Sequence, residues 1–285
     1  MGSDMRLISG YQLQRIFNVI NAPRDFPQKF LPDQLVTLSD LKMIPNEVLQ
    51  TWETARVPRR LHKSIGVFRN LNKDSSFRLF TADQRDRYMA ENWRGQKIEE
   101  IYRRALFGPL RADIFRYCYI FEHGGWYFDI SKGATIPLSQ FTPNEAGGVI
   151  TFEGNLMPES MSPTPAVERA LLRPRHRVAQ WGFGFAPRSE LLQMHIRGIE
   201  TRFHVYEHLR PGSVKDAILE YTGPIAFTKS LWDYFERYPD NTLHQVEIDL
   251  EGSSIYSLRG AGARYWTSKP YGSVSSQPLF SNAHD

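Results

Sequence analysis

Cysteine is almost absent from this sequence. Cys118 is the single one among 285 residues, so no intrachain disulfide can form. Its place among apolar neighbours suits a core thiol rather than a nucleophile. No run of roughly 18 apolar residues occurs, which excludes a membrane span read from the sequence, and the N-terminus lacks the hydrophobic core of a signal peptide. A dominant charge is missing too. The 35 basic residues nearly balance 31 acidic ones, leaving a net +4, and such a balance permits an anionic partner without demanding one. There is no internal repeat.

What is present is an apolar content of 41%, enough for a sizeable core in a chain of this length. Strand-like and helix-like stretches alternate. Strands are expected at Glu47–Trp52 and Phe77–Phe80 and near Val149–Glu153. Helices are expected at Pro58–Arg69, Asp83–Trp93, Lys97–Phe107, Glu190–His208 and Leu231–Tyr238. This alternation predicts an α/β domain with a mixed central sheet flanked by helices. Residues 1–43, with a helix around Tyr11–Ile20 and a proline-punctuated stretch, read as an extension packed on a catalytic domain of residues 44–250. Residues 251–285 form a tail without clear periodicity.

The densest information lies in residues 111–131, RADIFRYCYIFEHGGWYFDIS. Ile114, Tyr117, Cys118 and Phe121 recur at helical intervals, while Asp113 and Arg116, three apart, share another face. Gly124 and Gly125 stop the helix. In the strand that follows, alternation turns Trp126, Phe128 and Ile130 one way and Tyr127, Asp129 and Ser131 the other, so a carboxylate and a hydroxyl share a face.

This helix, glycine pair and strand resemble the segment "SDxxRYxxLxxxGGxYxDxD" of the glycosyltransferases defined by a DXD sugar-binding region. That group includes fungal initiating α-1,6-mannosyltransferases, bacterial capsular polysaccharide enzymes and, more distantly, the large glucosylating toxins. Residues 44–52, IPNEVLQTW, resemble the family's opening "IPKxIHQxW", with Leu49 where a histidine is common. Phe77–Thr81 with Ala82–Asp83 is similar to its second strand and turn, and Tyr221–Pro224 (YTGP) to its late TGP turn.

The resemblance implies a Rossmann-like GT-A fold and transfer of a sugar, with retention, from a nucleotide-diphosphate donor to a glycan, a lipid-linked sugar or a protein. It implies catalytic roles for Asp129, Asp113 and Arg116, with Asp113 on sugar hydroxyls and Arg116 on the sugar or phosphates. Trp52 would stack on the base, assisted by Gln50, Tyr127 and Ser131. A Mn²⁺ or Mg²⁺ cofactor would use Asp129 and Ser131, and Ser131 in place of the second aspartate weakens that site, since hard dications prefer carboxylates. Glu153 is a candidate for the far side of the sugar, and Arg175 and His176 for a loop over the diphosphate, against the plainer reading of solvated surface. His195, His204 and His208 are not read as ligands.

Two rivals remain. Ser131 suits a nucleotide-sugar-binding relative that has lost activity. The basic stretches Arg59–Lys63 and Arg173–Arg177 suit a nucleic-acid binder, but no recognition helix or aromatic-basic sheet accompanies them, and nucleic acid is not an expected partner. The expected location is the cytoplasm or the cytoplasmic face of a membrane, with peripheral association or an anchor outside this sequence both compatible.

Overall fold

The computed structural model describes residues 43–255 and 274–282. The expected helix at Tyr11–Ile20, the proline-rich segment and much of the tail lie outside the described residues.

Eight strands follow one another along the described chain: β1 (Glu47–Thr51), β2 (Ser76–Phe80), β3 (Gly125–Phe128), β4 (Gly148–Ile150), β5 (Phe152–Leu156), β6 (His176–Val178), β7 (Gly182–Phe185) and β8 (Leu243–Gln245). Six of them form the main sheet in the order β2-β1-β3-β7-β4-β8, and β5 pairs with β6 in a separate ribbon. Within the main sheet β1, β2, β3, β4 and β8 run in one direction and β7 runs against them. The longer helices are α1 (Arg59–Leu71), α2 (Ala82–Asn92), α3 (Lys97–Arg104), α4 (Gly108–His123), α5 (Pro165–Ala170), α6 (Glu190–Tyr206), α7 (Val214–Tyr221) and α8 (Pro224–Arg237). The expected mixed sheet flanked by helices is therefore the observed architecture.

Alternation along β1 and β3 builds a core on each face of the sheet. Leu49 and Tyr127 face α4, α6 and α8, where Ile114, Tyr117, Ile196 and Phe227 pack with Phe183 and Phe185. Val48, Trp126 and Phe128 face α1 through Phe68. Between β2 and α2, Thr81 forms a capping box with Gln84, each side chain bonding the other's backbone amide.

Helix α4 departs from expectation. It begins at Gly108, with a proline in its first turn, and is buried on every side from Ala112 to Phe121, including Asp113 and Arg116. The polar face read from the sequence is not a wet face. Sheet, α3 and α6 enclose the helix, so its two charges point into protein. The expected strand at Val149–Glu153 also divides at Thr151. The Thr151 hydroxyl bonds the Glu247 carbonyl and accepts the Leu250 amide, which draws the chain out of the main sheet and into the ribbon. The helix expected at Leu231–Tyr238 starts earlier, because Gly223 and Pro224 of the YTGP turn supply its N-cap and first residue. Part of the Arg173–Arg177 loop is strand β6, and the WGFGFAP stretch supplies β7, whose glycines leave room for the Phe128 and Trp126 rings.

The stop after α4 needs glycine at both positions. Gly124 and Gly125 have φ of +69° and +95°, and a Cβ on Gly125 would lie 2.8 Å from the Glu47 carbonyl oxygen. Gly125→Ala is expected to cost about 1–3 kcal/mol or more, since strain and collision combine. Gly66→Ala, in α1 with nothing within 4 Å of the added carbon, should instead gain about 0.5–1 kcal/mol. Denaturant unfolding of the two variants beside the parent checks both signs.

Candidate functional site

The strand order locates the site. From β1 the chain passes to β2 on one side, whereas from β3 it passes on to strands on the other, so neighbouring strands β1 and β3 send their connections in opposite directions. A crevice opens at the carboxyl ends of such a pair, the usual ligand position in open α/β sheets. Trp52 leaves the end of β1 and Asp129 the end of β3. The entry to reversed strand β7 brings Gln180 and Trp181 to the same edge, and the exits of β4 and β8 bring Glu153 and Asp249.

Behind the edge lies a chain of charges. Arg116 Nη2 is 3.2 Å from Asp113 Oδ1, and Arg116 Nη1 is 3.3 Å from Asp129 Oδ1. The same Nη1 donates to the Gln180 carbonyl at 3.1 Å, and the guanidinium carbon lies 4.3 Å from the centroid of the Tyr127 ring. The Tyr127 hydroxyl donates to Asp129 Oδ1 at 2.6 Å. Thr222, of the YTGP turn, donates to Asp113 Oδ2 at 2.9 Å, and the Gln180 amide bonds the Tyr117 hydroxyl and the Thr222 carbonyl. Side-chain exposure falls from 38% at Asp129 to 8% at Arg116 and 7% at Asp113. Asp129 is thus the member open to a ligand.

Burial pushes the Asp113 carboxyl up to about 6, outweighing the lowering effect of Arg116 and of the Thr222 and Gln180 hydrogen bonds. Arg116 is held firmly charged, because Tyr127, Asp129 and Asp113 together outweigh its own burial. Tyr127 is buried, and its phenol is raised well above the ordinary range by that burial.

Each residue expected at the site can now be located. Asp113, Arg116, Tyr127 and Asp129 come together. Trp52 lies just past β1, partly exposed. Its amide donates to the Phe80 carbonyl at 3.0 Å, while its carbonyl accepts from buried Arg85 at 3.3 Å. Arg85 also pairs with Glu53 at 3.1 Å, so it ties together the backbone around Trp52 and Glu53. Gln50 is buried in β1, and neither of its amide atoms has a hydrogen-bond partner. Ser131 sits on a turn, because β3 ends at Phe128 and the Lys132 amide bonds the Asp129 carbonyl at 2.8 Å. The shared face therefore holds for Tyr127 and Asp129 and ends there.

The basic stretch is tied down internally. Arg175 donates to the Met161 carbonyl and the Ser162 hydroxyl, Arg173 pairs with Glu247, and His176 Nδ1 bonds the Glu153 carbonyl. Glu153 itself is pushed up to about 6, chiefly by burial. His195 is enclosed against Ser230, and burial takes it down to about 3, so it is neutral.

The turn after β3 offers little to a divalent ion. Asp129 is the one carboxylate of the turn, its Oδ1 already engaged by Tyr127 and Arg116, and Ser131 is a neutral and poor ligand for a hard ion. Among the described residues no group of three or more His, Cys, Asp or Glu is arranged to hold a metal.

Sequence reasoning missed Arg85, Gln180, Thr222, Lys132 and Asp249. Only Thr222 carried a signal, through the YTGP turn.

Comparison with known proteins agrees with the resemblance read from the sequence. Residues 58–146 match the family described as "Glycosyltransferase sugar-binding region containing DXD motif". Inositol phosphoceramide mannosyltransferase 2 of Schizosaccharomyces pombe is 27% identical over 122 residues, covering 42% of this chain and 35% of that protein. The match thus spans about a third of that relative's length. A solved structure titled PaToxG Glycosyltransferase is similar at a TM-score of 0.45 and 14% identity, over 70% of this chain and 73% of that one. Among the described residues no helix is long and apolar enough to cross a membrane.

The buried acid yields a pH prediction. An acid whose folded value is raised binds its proton more tightly in the folded state, so the stability it contributes is full below about 4 and is lost as pH rises through about 6. Unfolding of the parent should therefore lose ground to Asp113→Asn over that window. Parallel curves for the two proteins from acid to neutral pH would refute the assignment.

Proposed function

We propose that this chain is a glycosyltransferase that moves a hexose from a nucleoside-diphosphate sugar to a hydroxyl acceptor with retention. The observation that carries the reading is Asp129, a carboxylate exposed at the carboxyl end of β3 and backed by Arg116 and Asp113. The family match over residues 58–146 and the mannosyltransferase name of the fungal relative support it.

In this reading the indole of Trp52 stacks on the base, which any base accepts because each has a flat face. Asp129 accepts from hydroxyls of the donor through Oδ2, the oxygen left over by Tyr127 and Arg116. Arg116, Asp113 and Tyr127 act as positioning residues. They orient and partly neutralise Asp129 from within the protein instead of meeting the phosphates. The bond from the anomeric carbon to the β-phosphate oxygen breaks with its electron pair on the diphosphate, and a bond to the acceptor oxygen forms on the same face. The acceptor's proton leaves with the departing phosphate. Asp129, held on one oxygen by two partners, serves as an anchor rather than a nucleophile, which fits retention without a covalent intermediate. A glycan, a lipid-linked sugar or a protein side chain suits as acceptor, at the cytoplasm or the cytoplasmic face of a membrane.

Ser131 favours the second reading, a relative that binds donors without turning them over. Both readings expect a nucleoside diphosphate or its sugar to raise the unfolding temperature, since ligand at about 100 times its dissociation constant adds about 2.7 kcal/mol. They part at turnover. Asp129→Ala is expected to abolish donor hydrolysis and transfer with the fold intact by circular dichroism. Trp52→Ala should weaken nucleoside diphosphate binding by about 1–3 kcal/mol, with Trp52→Phe milder. Parent protein that binds donors but shows no hydrolysis or transfer with any acceptor class would establish the lapsed relative.

A further inference from the structure

The site contains a cation that the sequence pattern did not point to. Lys132 closes the turn that begins at Asp129, and its Nζ lies 4.7 Å from the centroid of the Trp181 ring. Burial lowers the Lys132 ammonium below the ordinary lysine value, opposed by Asp129, Asp249 and Glu153, acids that arrive from the turn after β3, the segment after β8 and the start of β5. Asp249 opens a run of three left-handed residues, with φ of 53° at Asp249, 54° at Leu250 and 56° at Glu251. Such backbone is costly outside glycine. The Leu250 amide on Thr151 Oγ1 at 2.9 Å and the Ser254 amide on the Asp249 carbonyl at 3.0 Å hold it in place.

We propose that Lys132 meets the diphosphate of the donor in this chain, in place of the divalent ion that a carboxylate at position 131 would help to hold. The inference rests on the nucleotide-sugar reading above. When the glycosidic bond breaks, its electron pair adds a negative charge to the diphosphate, and a fixed positive charge there lowers the barrier. Arg116 cannot supply that charge directly, because it is buried and its guanidinium is divided between Asp113, Asp129 and the Gln180 carbonyl. Lys132 is only partly buried and lies next to the exposed carboxylate. A dication bound at Asp129 would sit beside two like charges, Arg116 and Lys132, and would have a neutral Ser131 where a second carboxylate is wanted. The surrounding acids define the rival outcome, in which they attract a metal instead.

Titration of UDP and of GDP into the purified protein, in chelator and then in excess Mn²⁺, decides between these. The better-binding nucleotide should bind the parent with the same affinity in both conditions. Lys132→Met, which keeps the apolar stem over Trp181 but not the charge, should weaken it roughly ten- to hundredfold. Lys132→Arg should restore most of the loss, and unfolding curves must match between variants so that a packing defect is not mistaken for a lost contact. Binding that appears only with Mn²⁺ and is unchanged in Lys132→Met would overturn this inference and leave the donor reading standing. Absence of binding by either nucleotide and by their sugars, with and without Mn²⁺, would overturn both.

Discussion

A guanidinium enclosed between two carboxylates holds this site together. Arg116 lies on a helix buried on all sides and touches Asp113 behind it and Asp129 in front. Burying charge is costly, and the arrangement persists because nearly every polar atom near it has a partner: Thr222 on Asp113, the Gln180 carbonyl and the Tyr127 ring on Arg116, the Tyr127 hydroxyl on Asp129. Removing the cation alone would leave Asp113 buried and uncompensated, an error that costs about 3–5 kcal/mol in such sites. Asp129 is therefore fixed in direction before any ligand arrives. Preorganised polar groups of this kind act without reorganising when charge develops.

The sheet explains why these groups meet. Strands β1 and β3 lie side by side, but their outgoing connections diverge, and Trp52 follows the end of one while Asp129 follows the end of the other. Reversed strand β7 enters at that same edge, which is how Gln180 and Trp181 arrive beside residues far from them in the chain. The split of β4 from β5 at Thr151 has a similar consequence, since it carries Glu153 away from the main sheet and lets the segment after β8 bring Asp249 toward Lys132. A small departure from regular pairing thus adds charged groups to the site.

Much was legible in the chain itself. The strand and helix alternation announced the architecture, because side-chain periodicity follows directly from backbone geometry. Two consecutive glycines marked the end of α4, since no other residue adopts both positive φ values without strain and collision. Helical spacing set Asp113 beside Arg116, and only the family resemblance joined Asp129 to them. Tertiary structure alone decided which of the three is exposed, because burial depends on what packs around the helix, and α3, α6 and the sheet close over its polar side as well as its apolar one. It also decided that Gln50 is enclosed, that Arg85 braces the Trp52 loop and that Lys132 and Asp249 share one field. Those relations join residues tens to more than a hundred positions apart, and long-range contacts of that kind leave no periodic trace in a single sequence.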